Sequence, residues 1–196
     1  MNEQLEAAST AIREGKLVVY PTETVYGLGA DARDPDAIER VYEVKARERS
    51  DPLSMAVPSV EAARDYIERS EVVMSFMEAF LPGPVTVIAE KTDRVPDALT
   101  SGRNRVGIRI PDHELALDLL NRINPITATS ANVSGSESVT SVEQLNPQIR
   151  DGVAVVIDGG ETPGLESTVV DPGLGTIHRR GAMADDVADW LRAHDR

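Results

Sequence analysis

Three observations in the chain point to an α/β domain, α+β in some schemes, built on a mixed sheet. Short apolar runs alternate with stretches of helical periodicity from one end to the other. Residues 105–110 alternate strictly, with Val106, Ile108 and Ile110 on one face and Arg105, Gly107 and Arg109 on the other. No internal repeat, low-complexity tract or linker divides the 196 residues, so one domain over 1–196 is expected.

Residues 2–14 predict an amphipathic helix, with Leu5, Ala8 and Ile12 on one stripe and Gly15 at the C-cap position. Leu17–Tyr20 is a short buried strand stopped by Pro21. Asp34-Pro35 opens a second helix, with proline in its first turn and Ile38, Val41 and Tyr42 facing inward. That helix is expected to fray near Val44, leaving Lys45–Arg49 extended ahead of Pro52. Leu53–Val57 reads as a strand, and 59–68 and 71–81 as helices ending at Pro82-Gly83-Pro84. Strands follow at Val85–Ala89 and Arg105–Ile110, a helix at 113–121, and strands at Ile126–Thr129 and Val153–Ile157. Ser167–Val170 and Thr176–His178 form a strand pair around Asp171-Pro172-Gly173, and 184–194 is a helix with Val187, Trp190 and Leu191 as its stripe.

Composition narrows the chemistry. Hydrophobic residues make up 41% of the chain, enough for a core, but aromatics only 4%, so the core rests on aliphatic side chains. There is no cysteine, which excludes disulfides, thiolate nucleophiles and Cys-based zinc sites and suits a reducing cytoplasm. No signal peptide is visible and no apolar run approaches the ~18 residues of a membrane span. The net charge of −13, from 33 acidic and 20 basic residues, fits a well-solvated surface or one adapted to high salt. Its field repels nucleic acid and nucleotides, so any anion must be held by a local cluster of cations. His113, His178 and His194 lack ligand spacing, and no metal site built from side chains is expected.

Four polar motifs stand at the ends of apolar runs. Lys45 and Arg47, with Arg49 beside them, point to one side if extended and would clamp a polyanion, Lys as a point charge and Arg as a planar fork; a solvated basic turn is the alternative. Arg105 and Arg109 share a strand face with Gly107, which leaves room for a ligand against the backbone; a salt-bridged face is the alternative. Ser130 and Asn132 offer hydroxyl and amide groups to a phosphate, a magnesium shell or a nucleoside, or serve only as turn caps. Pro21–Gly29 leaves a buried strand and ends in two glycines, but it is neither a dinucleotide fingerprint nor a P-loop.

In this order, from about residue 5 to 183, the motifs resemble the YrdC-like family of threonylcarbamoyl-AMP synthases. The resemblance is carried by Tyr20–Leu28, Lys45-x-Arg47 with Pro52-Leu53, Leu81–Thr86, Arg105–Pro111, Ser130-Ala-Asn132 and Glu166–Val169. It implies a twisted mixed sheet flanked by helices around a large, basic, concave cavity. It also implies condensation of L-threonine, bicarbonate and ATP to threonylcarbamoyl-AMP and pyrophosphate. A separate transferase would then pass the threonylcarbamoyl group to tRNA adenosine, and direct tRNA binding by this chain is expected to be weak or absent. The implied ATP set is Lys45 and Arg47, also the catalytic pair, with Arg49, Arg105, Ser130, Asn132, Ser138, Arg179 and Arg180. The implied threonine set is Thr22, Ser54, Arg109, Thr129 and Ser167. Mg2+ is expected with ATP, and the cytoplasm as the location.

The chain departs from the resembled pattern in carrying Glu48 where proline is common after the Lys-x-Arg arginine, which is expected to loosen that loop. It resembles the single-domain form, which leaves the element closing over the cavity unassigned. Lys45→Ala is expected to abolish activity without unfolding, on the reading that Lys45 lies on a solvent-facing loop. Two other functions stay open on sequence alone: a non-catalytic RNA-binding module, and a carbamoyl-adenylate former with a different substrate.

Overall fold

In the computed structural model, which describes residues 2–194, nine strands form one continuous mixed sheet. They are β1 (Val18–Tyr20), β2 (Gly27–Gly29), β3 (Ser54–Ala56), β4 (Val85–Glu90), β5 (Arg105–Arg109), β6 (Ile126–Ser130), β7 (Val155–Val156), β8 (Thr168–Asp171) and β9 (Thr176–Arg179). Their spatial order is β7-β1-β2-β6-β3-β5-β4-β8-β9. The pairs β1/β7, β3/β5 and β4/β8 are parallel and the other five antiparallel. The helices are α1 (Asn2–Arg13), α2 (Pro35–Lys45), α3 (Val60–Ala63), α4 (Glu71–Phe80), α5 (Asp97–Thr100), α6 (Glu114–Arg122), α7 (Pro147–Gly152) and α8 (Ala184–Ala193). No helix among the described residues is long and apolar enough to cross a membrane.

Strand alternation decides what each sheet face meets. On β5, Val106 and Ile108 enter the main core, where Ile38 and Val41 of α2 and Phe76 and Met77 of α4 also pack. Val85 and Val87 of β4 and Val170 of β8 join them. The opposite face has a second apolar cluster in which Leu5 and Ile12 of α1 and Leu119 and Leu120 of α6 cover Val18, Tyr20, Ala56 and Ile126. Ala56 lies under that cover, whereas Ser54, two residues earlier and so on the same face, lines a cavity. One sheet face is thus roofed by α1 and α6 at one end and bare at the other.

Four local readings need correction. Residues 59–68 hold helix only over Val60–Ala63. Beyond it Glu68 N–H donates to Glu90 O and Thr92 N–H to Tyr66 O, drawing the segment alongside the end of β4. Gly27-Leu28-Gly29, to which the sequence assigns no element, is a strand, and a Cβ on Gly27 would sit 2.8 Å from the Tyr20 ring. The strand expected at Val153–Ile157 pairs only over Val155–Val156. Finally α2 does not fray at Val44 but runs through Lys45. Ala46 then adopts φ 48° and ψ 43°, and the N–H groups of Ala46 and Arg47 donate back to Glu43 O and Tyr42 O, closing the helix in a left-handed turn.

Candidate functional site

The bare face is the floor of a cavity of about 720 Å³. Alternate residues of adjacent strands supply it: Ser54 from β3, Arg105, Gly107 and Arg109 from β5, Thr86 and Ile88 from β4, Val169 and Asp171 from β8. Gly107 is required there, since a Cβ would collide with the Ser54 hydroxyl and come within 3.2 Å of Thr86 Cγ2. Five arginines (47, 103, 105, 109 and 179) and three carboxylates (Asp51, Glu166 and Asp171) line the cavity.

Most of that charge is paired. Arg105 Nη2 donates to Asp171 Oδ1 at 2.6 Å, and Asp171 is fully buried. Arg179 meets Glu166 at 2.6 Å and also donates to the Ser167 hydroxyl at 3.1 Å. Arg109, buried at the floor, reaches Glu23 Oε1 at 2.7 Å and donates to the carbonyls of Gly83 and Val85. Burial pulls the Arg109 pKa below the usual guanidinium value, and Glu23 opposes the shift. The arginines of β5 are thus salt-bridged and also line the cavity. Arg47 and Arg103 have no carboxylate partner among the described residues; they donate to backbone carbonyls of the 50–52 segment. These two arginines leave net positive charge on that side of the cavity.

Of the residues singled out from the sequence, Thr22, Ser54, Arg109, Thr129 and Ser167 all line this cavity, as do Arg47, Arg105, Ser130 and Arg179. Lys45 does not lie on a solvent-facing loop. It is 1% exposed in the last turn of α2, and its Nζ donates to the carbonyls of Ser130 and Asn132, the latter at 2.6 Å. Burial, with the nearby Arg47 charge adding to it, brings the ammonium from the usual 10.5 down to about 8. Asn132 is buried beside it, accepting from the Ser130 hydroxyl and donating to Val133 O and Ser136 O. Ser138 stands one layer back, its hydroxyl on Glu166.

Arg49 and Arg180 are not brought to the cavity: each is exposed and paired on the outside, Arg49 with Glu39 and Arg180 with Asp185. Glu48 is exposed and away from the cavity lining. Its loop is not loose, for Tyr42, Ser101 and Arg103 donate to the carbonyls of Asp51, Arg49 and Ser50. Sequence reasoning passes over Glu23, Asp51, Thr86, Asp171 and His178. Glu23 and Thr86 stand inside the motifs quoted above, and Asp171 reads there only as part of a turn. Alternation in β8 and β9 is the signal available for Asp171 and His178.

Thr22 accepts from the backbone N–H groups of Thr24 and Val25 and donates to Val25 O at 2.6 Å, closing a tight turn over the cavity. Thr86 and Ser167 hydroxyls pair at 3.0 Å. The cavity therefore offers a guanidinium and several hydroxyls at one end, and two unpaired arginines with the Ser130–Asn132 turn at the other. That arrangement suits a small zwitterion beside a polyanion.

The Sua5_yciO_yrdC family model, described as telomere recombination, matches residues 10–181. The chain is 42% identical over 174 residues to threonylcarbamoyl-AMP synthase of Pyrococcus abyssi (strain GE5 / Orsay), covering 86% of this chain and 50% of that protein. It is 39% identical over 193 residues to the threonylcarbamoyl-AMP synthase of Bacillus subtilis (strain 168), covering 96% and 53%. The crystal structure of P. abyssi Sua5 complexed with L-threonine superposes with a TM-score of 0.87 at 40% identity, over 92% of this chain and 55% of that one. The chain spans about half the length of these relatives. With the family model matched along most of its length and the fold shared, this chain belongs to the Sua5/YciO/YrdC family.

Proposed function

We propose that this chain is a threonylcarbamoyl-AMP synthase, condensing L-threonine, bicarbonate and ATP with release of pyrophosphate. The observation that carries the reading is one cavity holding a buried arginine among hydroxyls at one end and unpaired arginines beside the Ser130–Asn132 turn at the other. It is supported by the synthase names of the relatives and by the L-threonine complex of P. abyssi Sua5.

In this reading Arg109 binds the threonine carboxylate, with Thr22, Ser54, Thr129 and Ser167 around the rest of the amino acid. The threonine amine forms a bond to the bicarbonate carbon, and water leaves. The resulting N-carboxylate oxygen attacks the α-phosphorus of ATP, and the bond from that phosphorus to the bridging oxygen of pyrophosphate breaks. Charge develops on phosphate oxygens, where Arg47 and Arg105 stand. Lys45 fixes the Ser130–Asn132 turn through two carbonyls and adds its charge from behind. No side-chain nucleophile is needed; holding the reactants in line is the protein's main contribution.

Mg2+ belongs to the same proposal. Among the described residues no three His, Asp or Glu side chains cluster as a metal site. Mg2+ usually keeps waters and binds through substrate phosphates with one or two protein oxygens, and it neutralises phosphate charge when bound. Asp51, the one cavity carboxylate with no ion pair among the described residues, and the Ser130 hydroxyl fit that need. A separate transferase acting on tRNA, little direct tRNA binding and a cytoplasmic location complete the reading. The net charge of −13 and the scarcity of aromatics support the small role given to RNA.

Mass spectrometry of a reaction with L-threonine, ATP, Mg2+ and 13C-bicarbonate tests the assignment. A nucleotide product carrying both threonine and the labelled carbon is expected. A carbamoylated nucleotide formed only when another amine or a carbamoyl donor replaces threonine would instead support the carbamoyl-adenylate alternative.

A further inference from the structure

The threonine-site reading uses Thr22 and Arg109 but leaves Glu23, next to Thr22 in the chain, without a part. Glu23 lies between β1 and β2, outside the cavity wall and behind Arg109. Its Oε1 accepts from Arg109 Nη2 at 2.7 Å and from the backbone N–H of Asp112 at 3.1 Å. Both partners of the ion pair are largely sealed from water, with side-chain exposures of 7% for Arg109 and 17% for Glu23. A guanidinium has five N–H donors. Nη1 spends its two on Gly83 O and Val85 O, and Nη2 spends one on Glu23, so two remain for the cavity. Glu23 therefore sets which edge of Arg109 is presented. The bond to Asp112, just past β5, ties that strand's end to the loop carrying Thr22, fixing the separation of the two.

We propose that Glu23 is a positioning residue for amino-acid binding, holding the free donor edge of Arg109 at a fixed distance from Thr22. The proposal rests on the threonine-site reading. Its physical content is reach: one oxygen must meet two donors at once. A charge placed elsewhere in the loop would not do this. Charge matters to folding, because Arg109 is buried, but the geometry of the donor edge depends on the acceptor position.

Two variants of the full chain separate reach from charge. Glu23→Asp keeps the charge and shortens the side chain by one carbon; Glu23→Gln keeps the reach and removes the charge. Steady-state pyrophosphate release is measured as a function of threonine and, separately, of ATP, with melting temperature alongside. Glu23→Asp is expected to raise the threonine KM by about tenfold, the loss of roughly one charge-assisted hydrogen bond. Glu23→Gln is expected to stay within about threefold of the native threonine KM, its cost falling on melting temperature. The ATP KM should hold in both. The proposal is overturned if Glu23→Asp leaves the threonine KM unchanged, if Glu23→Gln is the more impaired of the two, or if threonine and ATP KM rise together. A native chain with no threonine-dependent release would contradict the functional reading itself; direct calorimetric titration of L-threonine into the same variants then decides the positioning role alone.

Discussion

Lys45 shows how much one side chain's burial changes a functional argument. On sequence it is a cation on an exposed loop. In the fold it is sealed at the end of α2, bonded to two carbonyls, with its pKa brought to about 8. The sign of its contribution follows. The unfolded chain keeps this proton up to about 10.5, while the folded chain releases it near 8. Between those values the unfolded state binds more protons, so stability from this group rises with pH and is lost as pH falls through the folded value. A neutral amine still carries an N–H for each carbonyl. With Lys45→Met as reference, the melting-temperature gap is therefore expected to move in favour of the native chain between about pH 8 and 10.5, while pyrophosphate-releasing activity falls as the charge is lost. A gap independent of pH would contradict a buried, titrating Lys45. Lys45→Ala, expected on sequence to spare the fold, should instead destabilise it, because two carbonyls lose their donor.

At the scale of elements, strand alternation carries most of what can be read from the sequence. The faces of β5 are legible because five successive residues obey one period, and the floor of the cavity follows from them. The short helices α5 and α7 are not legible, since they have too few residues for a period to emerge. β2 is hidden for a different reason. Gly27 and Gly29 carry no strand propensity, and they are glycines because the Tyr20 ring of the neighbouring strand fills their side-chain space. The end of α2 is obscured because its stop signal is an alanine in the left-handed region, where glycine is usual. Ala46→Gly is accordingly expected to stabilise the fold by about 1 kcal/mol in urea denaturation, by removing the left-handed strain. A loss of stability of that size would show that the turn after Lys45 is held by something other than its backbone bonds.

For the molecule as a whole, helices roof one end of a sheet face and leave the other end bare. The strand faces and the polar motifs can be read from residues alone. The sheet order cannot, because β6 joins β2 to β3 across long sequence separations that no local pattern encodes. The ion pairs that fix the cavity arginines also escape, since Glu23 with Arg109 and Asp171 with Arg105 lie 86 and 66 residues apart. These pairs explain how a chain of net charge −13 can present cations to a polyanion: most cavity arginines are fixed by carboxylates, and Arg47 and Arg103 are left over. The most direct test is pyrophosphate release from ATP with Mg2+ and bicarbonate, with and without L-threonine, at low and high salt. Threonine-dependent release is predicted, and it should be lost in Arg109→Ala. No release at any salt, from folded protein that still binds ATP, would contradict the synthase assignment and leave a nucleotide-binding domain without this chemistry.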